Sequence, residues 1–198
     1  MAATYCDAAP GHPVHGPYHD TEYGFPSRDD SVLFERLVLE INQAGLSWLT
    51  ILNKRAAFQK AYRNFDIDAV AGFGARDVKR LLGDERVIRN RRKLEAIVQN
   101  AKATVAMRDD RPLPEVVWSF RPPPARAPRT YADMASLTDE SKQLAKELKR
   151  EGFAFVGPTT VYSTMQAVGL VNDHLAGCFV RKEVEAAQHS VQRLFPSR

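Results

Sequence analysis

Four side chains of the kinds that bind metal ions lie near the two ends of the chain. Cys6 and His19 come from the first 26 residues, and His174 and Cys178 form a His-x3-Cys pair near the other end. Two thiolates and two imidazoles make a tetrahedral ligand set suited to zinc. On a helix, the spacing of His174 and Cys178 would place both on one face. The residues alone leave two interpretations, a zinc site or ordinary polar contacts with an inert Cys178.

An acidic residue, Glu40, interrupts an apolar helical pattern. The apolar residues on its helical face are Leu33, Leu37 and Ala44. Glu40 should therefore point inward, close to Trp48 at the start of the next helical pattern. A carboxylate and a tryptophan at this point could form a pocket for a flat, electron-poor ligand. The alternative is a glutamate paired with Arg36 or Arg55 and a tryptophan that belongs to the core.

The elements that would position these residues are predicted to be helices. Gly45 suits the position after a helix end and Ser47 suits an N-cap, which predicts a tight corner between two helices. The second of these helices should end near Asn64. Further helices are predicted at about 75–82, 90–107, 138–150 and 159–171. The His-x3-Cys pair would then lie near the end of the last of these helices.

The remaining segments show weaker patterns. Residues 1–26 are rich in proline and glycine and are predicted to be an irregular arm. Residues 121–129 form a proline-rich link that cannot be helical. After residue 180 the pattern suggests either a surface helix or a frayed end. No strong strand pattern is found, so the predicted fold class is all-α.

Composition limits the possible classes of protein. The chain has 198 residues, is 44% hydrophobic and carries a formal net charge of +4, which suits one domain with a sizeable core. No apolar run approaches the roughly 18 residues of a membrane span. The first residues also lack the features of a secretory signal, so a cytoplasmic location is expected. A disulfide between the two cysteines is disfavoured in that compartment.

Basic residues are concentrated in the connection between the helices predicted at 75–82 and 90–107. They are Arg86, Arg89, Arg91, Arg92 and Lys93. Cationic side chains beside a helix N-terminus are suited to holding a phosphate. A helical hairpin with an ordinary charged surface is an equal alternative.

Short motifs spread over most of the chain resemble those of the 3-methyladenine DNA glycosylase I family, which belongs to the helix-hairpin-helix superfamily. The motifs are YHD at 18–20, LE at 39–40, QAGLSW at 43–48, VIRNR at 87–91, VWSF at 117–120, GFAFVG at 152–157, MQA at 165–167 and GLVNDH at 169–174. With Cys6 and Cys178 they span about residues 6–180 in the family's order.

The resemblance implies an all-α, helix-hairpin-helix glycosylase fold in a single domain covering residues 1–198. Its helix-hairpin-helix lobe would occupy about 31–120, and residues 1–30 with 131–198 would form a second lobe. The resemblance also implies one structural zinc ion that joins the two ends of the chain. Its ligands would be Cys6, His19, His174 and Cys178, which leave no open position for a water.

The family's chemistry implies roles for the motif residues. Glu40 would be the catalytic residue and would accept hydrogen bonds from the exocyclic amine side of the base. Tyr18, Trp48 and Tyr23 would form the base-binding rings, which favour a cation through their π-systems. The implied reaction is a monofunctional hydrolysis of the N-glycosidic bond of N3-methyladenine in duplex DNA, after base flipping.

The resemblance also implies a DNA-binding surface. Leu46 would lie on the wedge loop that enters the duplex where a nucleotide has been turned out. The other expected DNA-binding residues are Gln43, Arg89, Arg91, Lys93, Gly157 and Thr159. The expected partner is double-stranded DNA with alkylated bases, no membrane partner is expected, and the protein should act as a monomer.

Several positions differ from the family pattern. Ala8 and His15 stand where aromatic residues are usual, and Ile41 and Asn42 stand where Gly and Gln are common. Fewer rings would make the pocket roomier and more polar. This favours two alternatives, a glycosylase for bulkier alkylpurines or a non-catalytic protein that binds alkylated DNA. An all-α protein with a redox or regulatory zinc site and no DNA role is disfavoured by the basic connection and the Leu46 corner.

Overall fold

The computed structural model describes residues 4–192, and every regular element in that part is helical. The α-helices are α1 (Tyr5–Ala8), α2 (His15–Thr21), α3 (Asp30–Gln43), α4 (Trp48–Ala61), α5 (Ile67–Ala71), α6 (Ala75–Leu82), α7 (Arg91–Met107), α8 (Leu113–Trp118), α9 (Asp139–Arg150), α10 (Pro158–Ala167) and α11 (Arg181–Gln192). Two short 3-10 turns cover Arg63–Phe65 and Tyr131–Asp133. The predicted all-α class is therefore confirmed. None of these helices is long and apolar enough to cross a bilayer.

Helix α3 lies at the centre of the fold and packs against α4, α7, α8 and α10. Its apolar side chains are buried in the core. They are Leu33, Phe34, Leu37, Val38, Leu39 and Ile41. Because these buried side chains lie on more than one face of the helix, α3 can pack against neighbours on several sides. Because α3 carries Glu40 in its last turn, this packing holds the carboxylate at the end of a rigid element.

The corner between α3 and α4 has the predicted caps. Gly45 adopts a left-handed conformation with φ of 85° directly after the end of α3. The Ser47 hydroxyl accepts a hydrogen bond from the Thr50 backbone N–H at the start of α4. Glycine has no Cβ penalty at positive φ, and serine satisfies an otherwise free helix donor. The corner therefore presents Leu46 to solvent.

The N-terminal segment is more regular than the sequence predicts. It contains α1 and α2, whose four and seven residues are too few to give a clear periodic pattern. The Thr4 side chain caps α1, and Asp7 completes the capping box. The expectation of an irregular arm is therefore wrong for these two helices.

The end of α10 also differs from the prediction. The helix ends at Ala167 instead of near residue 171, and Gly169 follows with φ of 76°. A Cβ on Gly169 would lie 2.6 Å from the carbonyl oxygen of Gly24, so the chain turns tightly against the N-terminal segment. His174 and Cys178 consequently lie on an irregular segment, and the expectation that they share a helical face is wrong.

The segment before the proline-rich link contains a helix, whereas the link itself does not. Helix α8 was not predicted, and the indole of Trp118 at its end donates a hydrogen bond to the Ser27 carbonyl oxygen at 2.9 Å. The proline-rich link at 121–129 has no helix, as expected. The tail after Val180 forms α11, and residues 193–198 lie outside the described part of the chain.

Candidate active site and metal centre

A pocket of about 240 Å³ opens beside the end of α3. Its walls combine four aromatic rings with four polar side chains. The lining residues are Tyr5, Tyr18, Tyr23, Trp48, Glu40, Gln43, Ser163 and Gln166. Aromatic walls with a few placed polar groups are typical of a site for a flat heteroaromatic ligand.

Glu40 is the only acidic residue among those lining the pocket, and it is partly buried. Among residues 4–192, no hydrogen bond or ion pair to its carboxylate is found. Burial raises the pKa of the Glu40 carboxyl to about 8, although the positive charge of Arg36 acts in the opposite direction. A carboxyl held in this way is suited to a ligand that brings either a positive charge or hydrogen-bond donors.

The two arginines that could have paired with Glu40 bind other carboxylates. Arg55 donates to both oxygens of Glu22 at 2.7 and 2.8 Å, and to Glu35 at 2.9 Å. Arg36 also forms an ion pair with Glu22. Burial acts to raise the pKa of Glu22, but the hydrogen bonds and charges of Arg55 and Arg36 outweigh it and lower the pKa. The alternative pairing of Glu40 with an arginine is therefore wrong.

The three rings named from the sequence are brought together in the pocket. The Tyr18 ring lies 5.2 Å from the Trp48 ring and 6.4 Å from the Tyr23 ring, measured between centroids. Tyr18 is only 3% exposed, and its hydroxyl has no hydrogen-bond partner within the described part of the chain. A buried hydroxyl without a partner is costly, so it marks a position where a ligand can complete the bonding.

A fourth ring, that of Tyr5, was not expected from the sequence. It contacts the Tyr23 ring edge-on at 5.4 Å, and its hydroxyl lies 3.4 Å from Nδ1 of His15. Ala8 is exposed at the end of α1. Tyr5 adds a ring wall to the pocket and His15 packs against it. The fold alone reveals this, since nothing in the pattern around Tyr5 distinguishes it. The expectation that the pocket is roomier and more polar than is usual in the family stays a prediction.

The four candidate metal ligands come together from both ends of the chain. Their ligand atoms all lie within 4.8 Å of one another. Nδ1 of His174 lies 3.6 Å from Sγ of Cys6 and 3.4 Å from Sγ of Cys178, and Nε2 of His19 lies 3.6 Å from Sγ of Cys178. Bond lengths of about 2.0 and 2.3 Å to a tetrahedral zinc ion would place nitrogen and sulfur about 3.5 Å apart. The donor set therefore fits a single zinc ion.

Both histidines are oriented through their second ring nitrogen. Nδ1 of His19 lies 2.7 Å from a carboxylate oxygen of Asp20, and Nε2 of His174 lies 2.9 Å from the Tyr23 carbonyl oxygen. Such contacts commonly fix the tautomer of a metal-binding histidine. The Tyr23 contact also joins the candidate metal site to the pocket.

Two of the expected DNA-binding residues lie at the corner between α3 and α4, and a third binds backbone carbonyls of this corner. Leu46 is 38% exposed, and the Gln43 side-chain amide donates to its carbonyl oxygen at 2.9 Å. Lys93 is only 4% exposed, and its ammonium donates to the carbonyl oxygens of Asn42 and Ala44 at 2.8 and 2.7 Å. These carbonyls belong to the end of α3, so Lys93 caps that helix. This placement contradicts the expected phosphate contact of Lys93.

The other expected DNA-binding residues lie at two helix N-termini. Arg89 and Arg91 are exposed near the start of α7 and form loose ion pairs with Glu85 and Glu95, at 3.7 and 3.4 Å. Gly157 is the N-cap of α10, and Thr159 is exposed in its first turn. Weak pairing of this kind leaves the two arginine side chains able to bind phosphates.

Residues 8–182 match the family model described as methyladenine glycosylase. The chain belongs to this family. It is 44% identical over 169 residues to DNA-3-methyladenine glycosylase 1 of Escherichia coli strain K12, an alignment that covers 84% of this chain and 90% of the relative. A crystal structure of 3-methyladenine DNA glycosylase I is 43% identical and has a TM-score of 0.84, covering 88% of this chain and 97% of that one.

A third relative comes from Staphylococcus aureus. Its structure is described as the structural basis of 3-methyladenine recognition by 3-methyladenine DNA glycosylase I, with 36% identity and a TM-score of 0.84. The alignment covers 91% of this chain and 98% of that chain.

Within this methyladenine glycosylase, sequence reasoning missed three residues that line the pocket. They are Tyr5, Ser163 and Gln166. Gln166 belongs to the MQA motif and could have been singled out as the one side-chain amide in α10. Ser163 and Tyr5 offer no comparable signal, because only packing against α3 and α2 brings them to the site.

Proposed function

We propose that the protein is a DNA repair glycosylase that removes 3-methyladenine from duplex DNA by hydrolysing its N-glycosidic bond. The observation that carries this proposal is the partly buried Glu40 carboxyl, without a partner in the described structure, in a pocket walled by aromatic rings. The relatives named above act on, or are described as recognising, the same base. Because the base must enter a pocket beside the Leu46 corner, the target nucleotide is turned out of the helix.

The chemistry of the substrate suits this pocket. Methylation at N3 makes adenine cationic while it is attached to the sugar, so the glycosidic bond is weak and the base leaves as a neutral molecule. Little general-acid help is needed. A cation beside Glu40 lowers the pKa of its carboxyl and favours the carboxylate. The Tyr18 and Trp48 rings add attraction for the positive base through their π-systems.

Glu40 therefore serves in two ways. Its carboxylate accepts hydrogen bonds from the amine side of the base, and its charge stabilises the positive charge that remains near the sugar as the bond breaks. None of the residues lining the pocket is a lysine, so no amine is placed to form a Schiff base. The reaction proposed is a hydrolysis without strand cleavage.

We further propose that Cys6, His19, His174 and Cys178 bind one structural zinc ion. The distances between their ligand atoms support this, and four protein ligands leave no position for a catalytic water. The ion would tie the N-terminal helices to the segment after α10. Elemental analysis of the purified protein should find about one zinc per chain, and replacing Cys178 with serine should lower that content. Protein that contains no zinc would contradict the proposal.

The proposed DNA-binding surface runs from the Leu46 corner to the N-termini of α7 and α10. Helices α6 and α7 with their basic connection would form the helix-hairpin-helix element, and Arg89 and Arg91 would bind phosphates. Gly157 and Thr159 would add contacts at the start of α10. We expect the chain to form two lobes, one at about 31–120 and one at 1–30 with 131–198. We also expect a monomer, because all the proposed DNA-binding residues come from a single chain.

Release of free bases from methylated duplex DNA tests the proposed function directly. Bases separated by chromatography should include 3-methyladenine when the unaltered protein is present. No release by protein that still binds the DNA would favour a non-catalytic damage-binding protein. Release of a larger alkylated purine without 3-methyladenine would favour the glycosylase for bulkier bases.

A further inference from the structure

The carboxylate of Asp173 lies outside the pocket and binds Gln166, one of the polar side chains that line it. Tyr162 and Gln166 lie four residues apart on one face of α10, and both donate a hydrogen bond to Oδ2 of Asp173 at 2.7 Å. Residues at this spacing are neighbours on a helix. Gln166 also lines the pocket, whereas neither Asp173 nor Tyr162 does. The hydrogen bond to Gln166 therefore connects Asp173 directly to a side chain of the pocket.

The chemistry of Asp173 determines which way the Gln166 amide is turned. An ionised carboxylate can only accept hydrogen bonds, so the amide nitrogen of Gln166 must face Asp173. Oε1 of Gln166 is then the end of the amide left for the pocket. No donor to this oxygen is found in the part of the chain that the structure describes.

We propose that Gln166 presents Oε1 to the pocket as an acceptor for the exocyclic amino group of the base, and that Asp173 is the positioning residue that maintains this orientation. The inference rests on the proposed function and assigns part of its base specificity. A purine with an amino group at C6 can donate to Oε1, whereas a carbonyl at C6 would place two acceptors against each other. A site built to bond a particular donor rejects an analogue that lacks it, because the buried partner is left unpaired.

Two free bases with different groups at C6 test this inference, namely 3-methyladenine, which has an amino group there, and 3-methylhypoxanthine, which has a carbonyl. Their affinities can be measured by the change in tryptophan fluorescence on binding, because Trp48 lines the pocket and Trp118 does not. The unaltered protein should bind 3-methyladenine more tightly. Replacing Gln166 with leucine should weaken binding of 3-methyladenine about tenfold, the size of one hydrogen bond. Binding of 3-methylhypoxanthine should not weaken, so the preference for 3-methyladenine should fall about tenfold, and the part that Glu40 provides should remain.

The role of Asp173 is tested with a pair of substitutions. Asp173→Asn keeps an oxygen that can accept from the Gln166 amide, so it should retain more of the preference than Asp173→Ala. Tyr162→Phe is the matched control, because it removes the other bond to Asp173 and leaves the Gln166 bond in place. This control should keep the preference of the unaltered protein. Zinc content is measured in each variant, since Asp173 directly precedes His174.

The outcomes separate this inference from the proposed function. If Gln166→Leu weakens both bases by the same factor, or weakens neither, Gln166 does not read the C6 substituent and the inference is overturned. Equal preferences in Asp173→Ala and the unaltered protein would overturn the positioning role. The proposed function fails only if the unaltered protein releases no 3-methyladenine from methylated DNA, which is a separate measurement.

Discussion

The two carboxylates near the Tyr18 ring, those of Glu22 and Glu40, lie in different electrostatic environments. Glu22 is paired with both Arg55 and Arg36, whereas Glu40 has no ion pair in the described structure. The guanidinium of Arg36 lies 5.3 Å from the centre of the same ring. The pairing lowers the pKa of Glu22, and burial without pairing raises that of Glu40 to about 8.

The difference shows that this fold uses one set of charged groups for stability and leaves another set available for ligand binding. The ion-pair network of Glu22, Glu35, Arg36 and Arg55 pairs each carboxylate with an arginine and holds the N-terminal segment against α3 and α4. The pocket instead keeps an unpaired carboxyl and the unbonded hydroxyl of Tyr18. Such groups reduce stability, and a ligand that pairs with them recovers the cost on binding. The network and the pocket should therefore respond to substitution in opposite ways.

The largest expected effect is on base release. Replacing Glu40 with glutamine should reduce the release of 3-methyladenine by about 100-fold or more, the size found when a preorganised charge is removed from a transition state. Affinity for DNA should change little, because Glu40 faces the pocket and not the DNA backbone. Glu115→Gln, an exposed acid on α8, is the control and should release the base normally. Unchanged release by Glu40→Gln would remove Glu40 from the reaction.

The network should dominate stability. Replacing Arg55 with methionine leaves Arg36 as the one remaining ion-pair partner of both Glu22 and Glu35, and it should reduce the free energy of unfolding by about 2 kcal/mol. The control is Arg108→Met, which breaks the exposed pair with Asp68 and should cost about 0.5 kcal/mol. Urea unfolding of both variants measures the difference. Similar losses would show that the network is no stronger than a surface ion pair.

Glu40 should affect stability in a way that depends on pH. Its carboxyl has an ordinary pKa of 4.5, which applies to the unfolded chain, and a pKa of about 8 in the folded protein. Between these values the folded state binds more protons, so this group lowers stability as pH rises. Glu40→Gln lacks this effect, and its melting temperature relative to the unaltered protein should be higher at pH 8 than at pH 5. A constant difference would contradict the raised pKa.

The smallest expected effect concerns the Tyr18 hydroxyl. Tyr18→Phe removes a buried polar group without a partner and should change the free energy of unfolding by less than about 1 kcal/mol, toward greater stability. The matched change Tyr162→Phe removes a hydroxyl bonded to Asp173 and should reduce stability by about 1 kcal/mol. A larger loss in Tyr18→Phe than in Tyr162→Phe would mean that the Tyr18 hydroxyl is bonded in solution.

Much of the fold could be predicted because helix signals are local. The caps at Ser47, Asn90 and Thr138 each satisfy a donor within their own turn, and their helices begin where the sequence predicts. The misses have the opposite character. Helix α1 is too short to show a period, and α10 ends early because Gly169 packs against Gly24 from a distant segment.

The sequence by itself determined the all-α class, the candidate metal ligands and the family, because these depend on residue types and on their order along the chain. Only the tertiary structure decided that Glu40 has no arginine partner, that Lys93 caps α3 and that Tyr5 and Gln166 line the pocket. The physical reason is that pairing and burial depend on which distant side chains meet. An arginine four residues from Glu40 could have paired with it, but Glu22, which directly follows α2, binds that arginine instead.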